Sequence, residues 1–350
     1  YGDNRDLHSY PTRRSSDLGY IKYSKSNSNQ ALTDFEKALK LNDKYVQAYY
    51  HKGMIYKNSN PKKAMECFNK TLELDEKFYH SHFQIAMLKI KDYQNTIFFR
   101  LDRKEFEEAL KNLTEIDIKN IEDSVKYLDK FITYNNDYND KNRANGYFTR
   151  ARLKDMLDIK NIDESINDFT KSIQIEPNHY KAYVCRADLR KMKGDFDGAI
   201  ADISKTIQLK SKSELKLKSK YKEISLSYLH VLRSIVWELK GDLDKSLNDC
   251  IEAIKIDPKD ASAYDQSGNI KRSLKDFDGA IKDHTKAIEL EPGSATFYLN
   301  RAITNNSKRD FEKNIADANE AIRLDPNLAR AYNSRSWAKK IGRASFRESV

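Results

Sequence analysis

The chain has 350 residues, 63 Lys and Arg against 53 Asp and Glu, a net charge of +10, and only 11 Gly and 6 Pro. With 39% apolar and 33% charged residues, that balance suits long amphipathic helices over thin cores rather than a sheet protein rich in Gly/Pro turns. No run of 18 apolar residues crosses a membrane, and Cys67, Cys185 and Cys250 are too scattered for a disulfide framework or a zinc site, so a reducing, cytoplasmic setting without metal or cofactor is expected.

The run HSYPTRRSSDL (8–18) and the closing IGRASFRESV (341–350) resemble translated sequencing-adapter scars, and neither continues the pattern between them. Residues 1–18 and 342–350 are therefore set aside as artefactual or disordered tails. Residues 19–141 form a less regular helical part. In it, ALTDFEKALKLN (31–42) and AMECFNKTLELD (64–75) have the i, i+3, i+4, i+7 stripe of amphipathic helices, with VQAYYHKGMIY (46–56) between them. From 79 to 140 the spacing wanders. KEFEEALKNL (104–113) and SVKYLDKFI (124–132) are still amphipathic, and two irregular helix pairs are expected there.

Residues 142–341 are regular. The hexamer DFDGAI stands at 195–200 and again at 276–281, with relatives KNIEDSV (119–125), KNIDESI (160–166), GDLDKSL (241–247) and RDFEKNI (309–315). The small residues Ser165, Ala199, Ser246, Ala280 and Asn314 follow at gaps of 34, 47, 34 and 34, and Pro258, Pro292 and Pro326 are 34 apart. Gly194 and Gly241 sit where a first helix must stop, and the prolines close the second helices. The 13 residues beyond the period in the long gap match KSKSELKLKSKYK (210–222), predicted to lengthen the following first helix to about 213–240.

A 34-residue helix–turn–helix period with aromatic and small residues at fixed offsets resembles the tetratricopeptide repeat, over about residues 19–341. It is carried by Tyr49, Gly53 and Tyr56, by Tyr183, Ala187, Ala199, Thr206 and Leu209, and best by Tyr264, Gly268, Phe277, Ala280, Ala287 and Pro292. The resemblance implies an all-α, right-handed superhelical solenoid of antiparallel helix pairs, about eight to nine repeats including partial ones. Its first helices would line a concave groove that takes an extended peptide or partner helix. Groove-facing candidates are Lys181, Cys185, Asp188, Asp265, Gln266, Asn269, Asn300, Arg330 and Asn333. One subfamily clamps the acidic tails of cytosolic chaperones with Lys and Asn on one first helix, Asn on the next, and Lys then Arg on the third. Asn269, Asn300 and Arg330 match, but Asp265 and Ser334 depart, and an acid inside a carboxylate clamp argues against chaperone-tail binding.

First helices also carry Arg150, Arg186, Arg233, Arg301 and Arg335 where an apolar residue is expected, and second helices carry Asp168, Asp202, Asp249, Asp283 and Asp317. Arg186 and Asp202, Arg233 and Asp249, and Arg301 and Asp317 are each 16 residues apart, the pattern of structural bidentate pairs between packed helices.

Catalytic chemistry finds no footing. No phosphate-binding, dinucleotide, nucleophile-elbow or H-E-x-x-H motif occurs, and His80 and His82 point to different helix faces. The basic run, with Lys212, Lys216, Lys218, Lys220 and Lys222, offers an alternative reading as an RNA or polyanion site. It has one aromatic, Tyr221, and is better taken as a solvated extension, which weighs against nucleic acid. The expected function is a non-catalytic scaffold for a protein or peptide ligand, the main alternative being the repeat region of a larger enzyme or regulator.

Overall fold

A computed structural model describes residues 28–93, 111, 113–137, 140–157, 162–213 and 224–348 of the chain. The described residues form helices and their connections, with no strand among them. They fall into two compact units, one ending at Ala182 and the other starting at Tyr183.

The first unit contains α1 (Ser28–Leu41), α2 (Val46–Ser59), α3 (Pro61–Leu74), α4 (Tyr79–Lys89), a 3-10 turn at Lys91–Tyr93, α5 (Glu115–Tyr134), α6 (Lys141–Leu157), α7 (Ile162–Ile175) and the start of α8 (Tyr180–Met192). Within it α2 packs on α3, α4 on α5 and α6 on α7. The described part of 79–140 thus holds one helix pair, α4 with α5. The helix predicted at 104–113 lies almost wholly outside the described residues, as does the 1–18 segment. The second unit holds the rest of α8 and then α9 (Phe196–Ser213), α10 (Leu226–Lys240), α11 (Leu243–Ile256), α12 (Ala261–Ser273), α13 (Phe277–Leu290), α14 (Ala295–Ser307), α15 (Phe311–Leu324) and α16 (Ala329–Glu348). The pairs α10–α11, α12–α13 and α14–α15 have the most extensive contacts there, and each hands on to the next.

The helices pair because each buries one stripe. Second helices bury Ala31, Phe35 and Ala38 on α1, Ala64, Phe68 and Thr71 on α3, and Ala280, His284 and Ala287 on α13, all at i, i+3/4, i+7. First helices are sandwiched and bury residues around much of the barrel, as α12 does with Ala261, Ala263, Ser267, Gly268 and Ile270. Close approach explains the small residues. A Cβ on Gly53 would stand 2.5 Å from the Phe68 ring, and one on Gly268 would stand 2.6 Å from His284.

Each hexamer also has a local function. Asp195 and Asp276 are the capping residues, accepting from the Gly198 N–H at 2.9 Å and the Gly279 N–H at 3.0 Å. The second aspartate of each copy, Asp197 or Asp278, pairs with Lys240 or Lys308 at the end of the next first helix. Before each cap the chain turns through the left-handed region, at Gly194 (φ 81°) and Gly241 (φ 90°) but also at Lys275 and Arg309 (both φ 66°).

One expectation is corrected. The insertion does not lengthen α10, which starts at Leu226 because Ser225, extended at ψ 155°, caps it by accepting from the Tyr228 N–H. The preceding helix is the long one, with α9 running 18 residues against 14 for α11, α13 and α15. At the other end of the unit, α16 runs on to Glu348.

Candidate functional site

Burying an arginine between helices demands that its donors be satisfied, and the geometry does so systematically. In the second unit Arg186 forks onto Asp202 (2.9 and 2.6 Å), Arg233 onto Asp249 (2.8 and 2.7 Å) and Arg301 onto Asp317 (2.9 and 2.6 Å). In the first unit Arg150 forks onto Asp168 at 2.8 and 2.6 Å. The remaining terminal nitrogen reaches the second helix of the preceding repeat. Arg150 Nη1 donates to Asp129, Arg233 Nη1 to Ser204, Arg301 Nη1 to Thr285 and Arg335 Nη1 to Asn319. One guanidinium thus ties together three helices. The repeat at α12 departs from this. Ser267 replaces the arginine, and Asp283 accepts from Ser267 Oγ and Lys271 Nζ, both at 2.6 Å.

That same repeat carries the candidate site. Its first helix, α12, presents Asp265, Gln266, Asn269 and Arg272. Asp265 is 8% exposed, lies 2.9 Å from His284 Nδ1 and accepts from Asn300 Nδ2 of α14 at 2.8 Å. Gln266 donates to Glu238 of α10 at 2.8 Å. By contrast, Asn269 Oδ1, Arg272 Nη1 and Asn306 Oδ1 are buried with no hydrogen-bond partner. Asn269 and Arg272 are i, i+3 on α12, and Asn306 stands 34 residues after Arg272, at the same place in the next repeat. Burial lowers the Arg272 pKa from its ordinary value. Glu238 and Asp265 oppose that shift and Arg330 adds to it, so α10, α12 and α16 all place charges around this guanidinium.

The remaining predicted groove residues are distributed unevenly. Cys185, 5% exposed, is closed off, as are Gln266 and Asn300. Lys181 is half-buried, and Asp188 pairs with Lys191 at 2.7 Å. Arg330 and Asn333 on α16 are exposed. Of the clamp-like set, Asn300 is taken by Asp265, and Ser334 accepts from Asn314 Nδ2 at 3.0 Å. Lys216, Lys218, Lys220 and Lys222 lie outside the described residues, as does the side chain of Lys212. Two of the thiols are poor nucleophiles: burial raises the Cys67 pKa and pushes Cys250 up to about 12.

Sequence reasoning missed Arg272, Asn306 and Glu238. The available signal was helical: Arg272 is one turn beyond Asn269, and Glu238 and Asn306 occupy its place in the neighbouring repeats.

A family model described as tetratricopeptide repeat matches residues 259–329, and a second of that description matches 46–78. A DnaJ homolog subfamily C member 7 homolog from Dictyostelium discoideum is 26% identical over 164 residues, which is 44% of this chain and 30% of that protein, so the chain spans under a third of the relative's length. Among solved structures, YrrB, described as a TPR protein with an unusual peptide-binding site, aligns with a TM-score of 0.42 and 17% identity over 61% of this chain and 99% of its own. Pseudomonas aeruginosa pilF aligns with a TM-score of 0.47 and 14% identity over 72% of this chain and 95% of its own. No described helix is long and apolar enough to cross a membrane.

Proposed function

We propose that this chain, whose residues 46–78 and 259–329 are tetratricopeptide repeats, is a non-catalytic protein-interaction scaffold. It holds an extended segment of a partner protein against α10, α12, α14 and α16. The observation that carries this reading is the trio Asn269 Oδ1, Arg272 Nη1 and Asn306 Oδ1, buried without partners in two successive repeats of the second unit. Leaving such atoms unpaired costs about 1–3 kcal/mol each. A peptide backbone supplies what they lack, N–H donors for the two amide oxygens and a carbonyl or anion for the guanidinium. Leu232 and Ile235 on α10 and Ile303 on α14 are half-buried nearby in sequence register and suit the peptide's apolar side chains.

The test is selection of random dodecapeptides on the intact chain, followed by affinity measurement with Asn269→Ala and Asn306→Ala. Each substitution should weaken binding about tenfold with the helical circular dichroism unchanged. Equal affinity in both variants removes this face as the site.

A further inference from the structure

Ammonium groups repel one another, so several lysines gathered around one hollow concentrate a field that draws anions. The first unit has such a hollow, a cavity of about 330 Å³ lined by Lys89, Asp123, Lys126, Tyr127 and Lys130. Asp123, Lys126, Tyr127 and Lys130 stand at i, i+3, i+4 and i+7 on α5, and Lys89 closes α4. Tyr127 is anchored, packing on the cluster of Phe68 and Ile85 and on that of Ile121 and Leu128. Asp123 is shared by two ammonium groups, Lys89 Nζ at 3.1 Å and Lys126 Nζ at 3.5 Å. The hydrogen bond from Lys89 is the main reason its carboxyl lies below the usual range. Lys130 pairs with Glu76 at 2.9 Å, with both partners exposed. Three cations thus surround one lining carboxylate.

We propose that this cavity is a binding site for a small molecule that carries two or more phosphate groups. Unlike the peptide face, which is built on first helices, it stands mainly on a second helix. The lining selects the ligand. Each ammonium has three N–H donors, and its pair with Asp123 or Glu76 occupies at most one of them. Lysines without an arginine supply separate point charges, which match the spread charge of a phosphate, whereas a planar carboxylate is matched by a guanidinium fork. One phosphate can lie between Lys89 and Lys126, and a second can reach Lys130, a turn further along α5. Exposed pairs contribute little, so Lys130 can exchange Glu76 for the ligand. The volume falls at the lower end of small-ligand cavities, about 300–1,000 Å³, and so fits a compact anion rather than a nucleic-acid strand.

Calorimetric titration of the intact chain with tripolyphosphate, ATP and inositol hexakisphosphate tests this, and separates inorganic, nucleotide and inositol phosphates as the source. At least one should bind, one per chain, about tenfold or more tighter than citrate, which carries carboxylates instead. Lys126→Gln, at a side chain 72% exposed, should weaken that binding about fivefold with the helical circular dichroism unchanged, and Lys130→Gln likewise. Asp123→Asn removes the competing carboxylate and should tighten binding about threefold, a gain that damage to the fold would not produce. Binding that Lys126→Gln and Lys130→Gln both leave unchanged overturns the proposal. So does an equal loss in Lys255→Gln, an exposed lysine of α11, or on replacing Lys216, Lys218 and Lys220, since the phosphate would then answer the net charge of +10. Citrate bound as tightly, or a folded chain that binds none of the three phosphates, overturns it too.

Discussion

Lys275 and Arg309 occupy a left-handed turn that Gly194 and Gly241 fill in the two preceding repeats. A non-glycine residue pays about 1–2 kcal/mol there, because its Cβ crowds the following carbonyl. Both side chains are exposed, so replacement removes little packing. Lys275→Gly and Arg309→Gly should each stabilise the second unit by about 1 kcal/mol, the gain trimmed by the extra freedom glycine has when unfolded. Urea midpoints would show it, and a lower midpoint in either variant contradicts the strain argument. The arginine ladder makes a sharper contrast. Arg301→Met leaves Asp317 buried beside only a neutral donor, Asn305, whereas Arg186→Met leaves Asp202 with Arg190 at 2.9 Å. Breaking a buried pair costs about 3–5 kcal/mol when the surviving charge is uncompensated. Arg301→Met should therefore cost about 3 kcal/mol and Arg186→Met clearly less; equal losses in chemical denaturation would mean that the second arginine does not compensate.

At the level of the element, the first unit gathers four histidines that burial disfavours as cations. His51, stacked 5.4 Å from Phe35, and His179, 4.8 Å from Phe148, both fall to about 4, chiefly by burial, and burial also lowers His80 and His82. These folded-state values lie below the ordinary one, so below about pH 6.5 the unfolded chain binds more protons than the folded chain. The stability they confer is complete above about pH 6.5 and is lost as pH falls toward about 4. The loss is at most about 3 kcal/mol for His51 or His179. Urea unfolding at pH 7.5, 6 and 5 should show the decline, and His51→Phe, which keeps the stack, should shrink it. An unchanged slope in that variant would place the acid sensitivity elsewhere. How far such elements were legible in the sequence depends on what each one buries. Second helices show one apolar stripe, so 31–42 and 64–75 stood out within a few residues of α1 and α3. The start of α10 did not, because the lysine-rich run before Ser225 has helical propensity as well as the segment after it, and only the cap geometry decides the boundary. Arg272 escaped for a related reason: its significance lies in what Glu238, Asp265 and Asp283 bond to, and those partners are 12 to 35 residues apart in the chain.

Across a repeat chain, cooperativity is local, since each helix pair touches only its neighbours and stability is close to a sum of unit and interface terms. Within the second unit, α12 and α14 are packed between pairs on both sides, while α16 is held mainly by α15 and α14. Tyr332 and Trp337 remain 40% and 57% exposed on α16, whereas Ala331 and Ala338 are fully buried against its neighbours. Protection should therefore grade along the array rather than follow one global transition. Native-state hydrogen exchange should find the slowest amides in α12 and α14 and the fastest in α16, with at least about tenfold between them. A selected peptide bound against Asn269 and Asn306 should slow exchange in α12 and α14 further, because a ligand seated on those helices stabilises what it contacts by mass action. Protection that rises equally in α1 through α3 and in α12 would mean that binding acts on the chain as one cooperative body, contrary to a nearest-neighbour array. Protection confined to α16 would place the peptide on the exposed Tyr332 and Trp337 instead.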